Sequence, residues 1–111
     1  MIFVTGPLFS GKETAICKCL GWSRGDFEKN GVRDVQELAA KSANLAELAD
    51  TLAKKDVVIA TEIGGGVVPM DAGQRHDREQ AGRLACLLAE RADTVVRVCC
   101  GIPQVLKGNL P

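Results

Sequence analysis

The chain has 111 residues, 46% of them hydrophobic, with 14 basic against 14 acidic side chains, a profile that fits one globular domain covering residues 1–111. Balanced charge gives no general attraction to nucleic acid, and no apolar run approaches the length of a membrane span. The first 20 residues lack the basic start and small-residue cleavage site of a secretory leader, so a cytoplasmic location with no membrane partner is expected.

Ile2-Phe3-Val4 reads as a short strand running into Gly6-Pro7-Leu8-Phe9-Ser10-Gly11-Lys12-Glu13-Thr14. This is the spacing of a phosphate-binding P-loop, GxxxxGK[ST], with one consequential substitution. In such a loop the glycines let the backbone turn back, so that successive amides and a helix N-terminus converge on phosphate oxygens. Lys12 would reach the terminal phosphates as a point charge. Glu13 stands where the hydroxyl that holds Mg²⁺ belongs; a carboxylate can ligate a metal, but it also puts negative charge beside a polyphosphate. Thr14 does not substitute, because one residue along a helix turns the side chain by roughly 100°. Gly6 to Thr14 are thus candidates for binding ATP or GTP, Lys12 for catalysis and Glu13 for metal. A glycine-containing turn without a ligand is the competing reading.

Further along, Lys12 to about Leu20 should be helical and closed by Gly21. Trp22 to Arg33 reads as a turn-rich connection. From Asp34, apolar residues at Val35, Leu38, Leu45, Leu48, Ala49 and Leu52 suit one helical face. Asn44-Leu45-Ala46-Glu47 resembles a capping box, which predicts two helices joined near residues 41–43. Val57-Val58-Ile59-Ala60 is continuous enough for a strand buried on both faces. It runs into Thr61-Glu62-Ile63-Gly64-Gly65-Gly66, where glycines suit close backbone approach to a ligand, or a plain linker.

Gln74 to Arg91 predicts a helix with Ala81, Leu84, Ala85, Leu87, Leu88 and Ala92 inward. Arg75, Arg78 and Arg83 fall at i, i+3 and i+8 beside His76, a stripe that suits an anion or a solvated face. Val95 to Cys100 predicts a third strand, and the tail from Ile102 reads as irregular. Cys17, Cys19, Cys86, Cys99 and Cys100 show no zinc-type pairing, so buried apolar packing is expected of them.

Strands alternating with helices predict an α/β fold, a P-loop NTPase-like three-layer sandwich with a small, mainly parallel sheet. Ligands in such sheets bind at the carboxyl ends of the strands, where both the loop and Glu62 fall. A narrow sheet leaves exposed edges, so a homo-oligomer is expected.

The segment from Glu62-Ile63-Gly64-Gly65-Gly66-Val67-Val68-Pro69 through Arg75-His76, Arg78, Ala81-Gly82-Arg83, Ala92-Asp93 and Gly101-Ile102 resembles the bifunctional adenosylcobinamide kinase / adenosylcobinamide-phosphate guanylyltransferase family, CobU. Val4-Thr5-Gly6 and Ser10-Gly11-Lys12 fit that family's P-loop in the same register. The resemblance implies a nucleotide-binding fold, ATP or GTP with Mg²⁺, a corrinoid substrate, trimer-forming ancestry and a place in cobalamin biosynthesis. It marks Lys12 and Glu62 as catalytic candidates, with Gly64, Gly66, Arg75, His76 and Arg78 as further candidates. Two blocks of the family, the histidine that takes up the guanylyl group and an acidic Walker B-type strand end, have no counterpart between the first helix and Val57. The resemblance therefore points to a kinase-type nucleotide-binding protein rather than to guanylyl transfer, with a catalytically silent relative, a nucleotide sensor or assembly subunit, as the alternative.

Overall fold

The computed structural model describes residues 1–63 and 71–111. Its elements in chain order are β1 (Ile2–Gly6), α1 (Lys12–Leu20), α2 (Arg24–Asn30), β2 (Gly31–Val32), α3 (Gln36–Ala39), α4 (Leu45–Leu52), β3 (Val57–Thr61), α5 (Ala72–Arg91), β4 (Thr94–Cys99) and β5 (Ile102–Lys107). They build a five-stranded sheet in the order β2-β3-β1-β4-β5. β1 lies parallel to β3 and β4, with Val4 opposite Ile59 on one side and Val96 on the other, and only β5 runs antiparallel.

Alternation along the central strands sends side chains into two cores. Phe3, Val58, Ala60 and Val95 face one way and pack with Val35, just before α3, and with Ala39, Ala49, Leu52, Leu84 and Leu88 from α3, α4 and α5. Val4, Val57, Ile59, Val96 and Val98 face the other way, against Ala15, Ile16 and Phe27 from α1 and α2. The sheet is therefore the middle of three layers, and the unbroken apolar run at 57–60 follows from burial on both faces.

The expected helix from Lys12 to Leu20 forms and is closed by Gly21 at φ 68°, the left-handed C-terminal stop that glycine favours. The two helices expected after Asp34 also form, with Asn44 accepting from the Glu47 amide at 3.1 Å at the start of the second. Leu38, expected on the inward face, is 42% exposed: α3 is a single turn, and Ala39 takes the buried position instead.

Three further expectations are overturned. Trp22 to Arg33 is not a mere connection but contains α2 and β2. Ser23 and Asp26 cap α2 reciprocally, the Asp26 amide donating to Ser23 Oγ and the Ser23 amide to Asp26, which satisfies amides that a helix start otherwise leaves unpaired. The tail from Ile102 is an edge strand rather than irregular. It lies exposed along its whole length and includes Pro103, a residue that sheets accept at their edges. The five cysteines are not buried: Cys86, Cys99 and Cys100 are exposed, and Cys17 and Cys19 half-buried. Cys99 ends β4 and Cys100 begins the turn that follows it. Among the described residues no helix is long and apolar enough to cross a membrane.

Leu88 is fully buried between α5 and the sheet. Leu88→Ala is expected to cost about 2–5 kcal/mol, read as a lower urea midpoint at unchanged slope. A loss below about 0.5 kcal/mol, the range of surface substitutions, would contradict the packing described.

Candidate functional site

The loop from Gly6 to Gly11 joins β1 to α1 at the carboxyl edge of the sheet. Gly6 adopts φ +154°, and a Cβ there would lie 2.3 Å from the Val98 carbonyl oxygen of β4. No other residue type fits without moving one strand off the other. Phe9 and Gly11 both take positive φ, and Gly11 in the left-handed region opens α1. The Gly101 amide in the β4–β5 turn donates to the Ser10 carbonyl at 2.8 Å, so the loop is held from β4 at both ends.

Lys12 is 9% exposed. Its Nζ donates to the Pro7 carbonyl at 2.8 Å, and no carboxylate among the described residues pairs with it directly. Burial pushes its pKa down, while the charges of Asp34 and Glu62 oppose that shift. Ser10 is 4% exposed, and its hydroxyl has no hydrogen-bond partner among the described residues. Ser10, Gly11, Lys12, Glu13, Arg33 and Asp34 line a common cleft of about 250 Å³ together with Leu8, Phe9 and Thr14. A buried cation, an unpartnered hydroxyl and a helix N-terminus together make an environment complementary to an oxyanion.

The two carboxylates singled out from the sequence are both committed to arginines. Glu13 Oε1 accepts from Arg33 Nε at 2.6 Å, and Arg33 Nη2 donates to Glu28 at 2.6 Å. The Arg33 guanidinium lies 4.9 Å from the Phe27 ring centre. Hydrogen bonds to Glu28 and then Glu13 hold its proton on more firmly than usual. Glu62 follows β3 and accepts from Arg97 through both oxygens, at 2.7 and 3.0 Å. Sequence reasoning missed Arg33 and Arg97. Arg97 is an isolated charge inside an apolar strand, which is a readable signal; Arg33 carries none until α2 and β2 are recognised.

Arg75 and His76 are exposed and Arg78 half-buried on α5. None of the three lines the cleft with Lys12, and the basic stripe is broken by Arg83 pairing with Glu79 at 3.1 Å. Gly64 and Gly66 lie outside the described residues. Thr14 is exposed on α1. Pro7, through its carbonyl, is the partner of Lys12.

These features define an α/β protein whose glycine-rich loop and buried lysine sit at the carboxyl edge of a mostly parallel sheet. Within that class, the model of the family described as cobinamide kinase / cobinamide phosphate guanyltransferase, CobU, matches residues 14–106, and the chain belongs to that family. The resemblance read from the sequence is borne out. The bifunctional adenosylcobalamin biosynthesis protein CobP of Pseudomonas aeruginosa is 33% identical over 76 residues, which cover 68% of this chain and 44% of that protein. The chain thus spans less than half the length of the curated relative it matches.

Two outcomes test this geometry. Gly21, with φ 68° and nothing near an added Cβ, should cost about 1–2 kcal/mol on replacement by alanine; Gly6→Ala should cost distinctly more, because a backbone clash is added, and equal urea midpoints would contradict the close approach to Val98. The second concerns Glu62, whose carboxyl is held below the usual range first by the Arg97 hydrogen bonds, against the opposing effect of desolvation. Stability from the pair is present above the ordinary glutamate value of about 4.3 and is lost as pH falls through the lowered one. Arg97→Ala should therefore lower the urea midpoint slightly at pH 7, with the difference closing on acidification below that value; a difference independent of pH would refute the assignment.

Proposed function

We propose that this chain binds ATP or GTP with the phosphates at Gly6 to Thr14, in a P-loop-like fold, and serves cobalamin assembly as a nucleotide-dependent kinase of the cobinamide type. The observation that carries this reading is Lys12, an ammonium buried in the loop with, among the described residues, only a neutral carbonyl as its direct partner. Burying an unpaired charge is unfavourable, and an incoming phosphate relieves that cost. Family membership supports the corrinoid side of the proposal, as does the name of the Pseudomonas relative, which concerns adenosylcobalamin biosynthesis.

Phosphoryl transfer is chiefly positioning and charge neutralisation. The loop amides and the start of α1 would orient the phosphates, Lys12 would offset charge on the terminal ones, and Glu62, on the same edge, is the candidate group facing the acceptor. A cytoplasmic, homo-oligomeric protein, a trimer by family resemblance, without nucleic-acid or membrane partners completes the proposal. Guanylyl transfer is not included, because the sequence's one histidine, His76, lies on α5 away from the cleft.

A second reading, a catalytically silent nucleotide sensor or assembly subunit, is favoured by one observation: Glu13 and Glu62, the residues that would hold Mg²⁺, each accept from an arginine. A metal there would have to compete with Arg33 for Glu13 and with Arg97 for Glu62.

The test is titration of fluorescent ATP and GTP analogues into the chain and into Lys12→Ala, followed by turnover with adenosylcobinamide. Micromolar binding that weakens in Lys12→Ala by roughly 1.5–3 kcal/mol, the value of a charge-assisted contact, is the expected outcome. Turnover selects the kinase reading, and binding without turnover selects the silent relative. Absence of binding to either nucleotide refutes both.

A further inference from the structure

We infer that Arg33 takes the place of the divalent cation at this loop, so that the chain holds a polyphosphate without Mg²⁺. The inference deepens the nucleotide reading above and rests on it.

Mg²⁺ demands near-octahedral oxygen coordination and is usually held by one or two carboxylates plus phosphate oxygens. Glu13 replaces the hydroxyl that would ordinarily supply an oxygen, and its Oε1 is taken by Arg33. Both oxygens of Glu62 are taken by Arg97. Among the described residues no group of three histidine, cysteine or acidic side chains is placed to hold a metal ion.

The charge that the metal would have offset falls to a cation already at the lip of the cleft. Arg33 is fixed on three sides, with Nε on Glu13, Nη2 on Glu28 and the Phe27 ring beneath its plane. Nη1 makes no hydrogen bond or ion pair among the described residues, and Arg33 shares the cleft lining with Lys12 and Ser10. A guanidinium already ordered by its neighbours loses little side-chain freedom on binding, and its planar fork matches phosphate geometry. Glu13, which alone would repel a phosphate, becomes the anchor that positions this cation. Lys12 and Arg33 face Glu13 and Asp34 on the cleft, a balance that the amides and positive end of α1 tip towards an anion.

The experiment titrates fluorescent ATP and GTP analogues, and inorganic tripolyphosphate by calorimetry, into the full chain in Mg²⁺ and in EDTA. Kd is expected to agree within about twofold between the two conditions. Arg33→Ala should weaken binding in EDTA about ten- to a hundredfold, the loss of a charge-assisted contact, with an unchanged circular dichroism spectrum. Glu13→Ser, which frees Arg33 and restores the hydroxyl, should make binding Mg²⁺-dependent. Binding at least about tenfold tighter in Mg²⁺ for the native chain, or an unaffected Arg33→Ala, overturns the inference. If tripolyphosphate binds in EDTA through Arg33 but neither nucleotide binds, the nucleotide reading fails and this one stands. Failure of all three probes overturns both.

Discussion

The close approach of Gly6 to the Val98 carbonyl is the constraint on which the rest of the site depends. It lets the end of β1 lie flush against β4, and it aims the following residues back over the sheet edge rather than away from it. Ser10 is then within reach of the Gly101 amide, Gly11 turns into α1, and Lys12 is carried into the interior. Each consequence is geometric, and each requires that position 6 have no side chain. The left-handed turns at Phe9 and Gly11 only complete a path that this contact has already chosen.

Around that frame the charges are arranged in pairs. Lys12 is buried and bonded to a neutral carbonyl, whereas Glu13, Glu28 and Glu62 all face arginines. An isolated buried cation is costly in a folded chain, and such costs concentrate where a ligand relieves them. Arg97 engages Glu62 through both oxygens, and Lys12 is attracted by Asp34 and Glu62 at a distance, with no ion pair to either among the described residues.

Much of the architecture is legible in the chain. Val57 to Ala60 reads as a buried strand because burial on both faces removes any need for alternation. The Gly21 stop reads as a helix end because the left-handed cap is a glycine preference. The loop reads because few sequences place two glycines and a lysine at that spacing. What could not be read has physical reasons. β5 touches the sheet along one edge only, so its residues carry no pattern of inside and outside. β2 is two residues long, below the length at which any period can register. The cap of α2 was available in Ser23-Arg24-Gly25-Asp26, but Gly25 and a short polar helix obscure it. At the site, Lys12 and the loop glycines are local features and legible; the partnerships Glu13–Arg33 and Glu62–Arg97 join residues distant in sequence, and only the folded chain brings them together.

The position of β1 at the centre of the sheet has a temporal consequence. Its first partner, β3, begins at Val57 and its second, β4, at Thr94, so β1 has neither of its sheet partners until much of the chain that follows it has been made. Non-local parallel pairing must overcome a large loop-closure entropy before it is rewarded. Only the β4–β5 hairpin is local. The close approach of Gly6 to Val98 therefore forms only once β4 has been made, and until β3 and β4 arrive β1 has only the local packing of α1 against Val4.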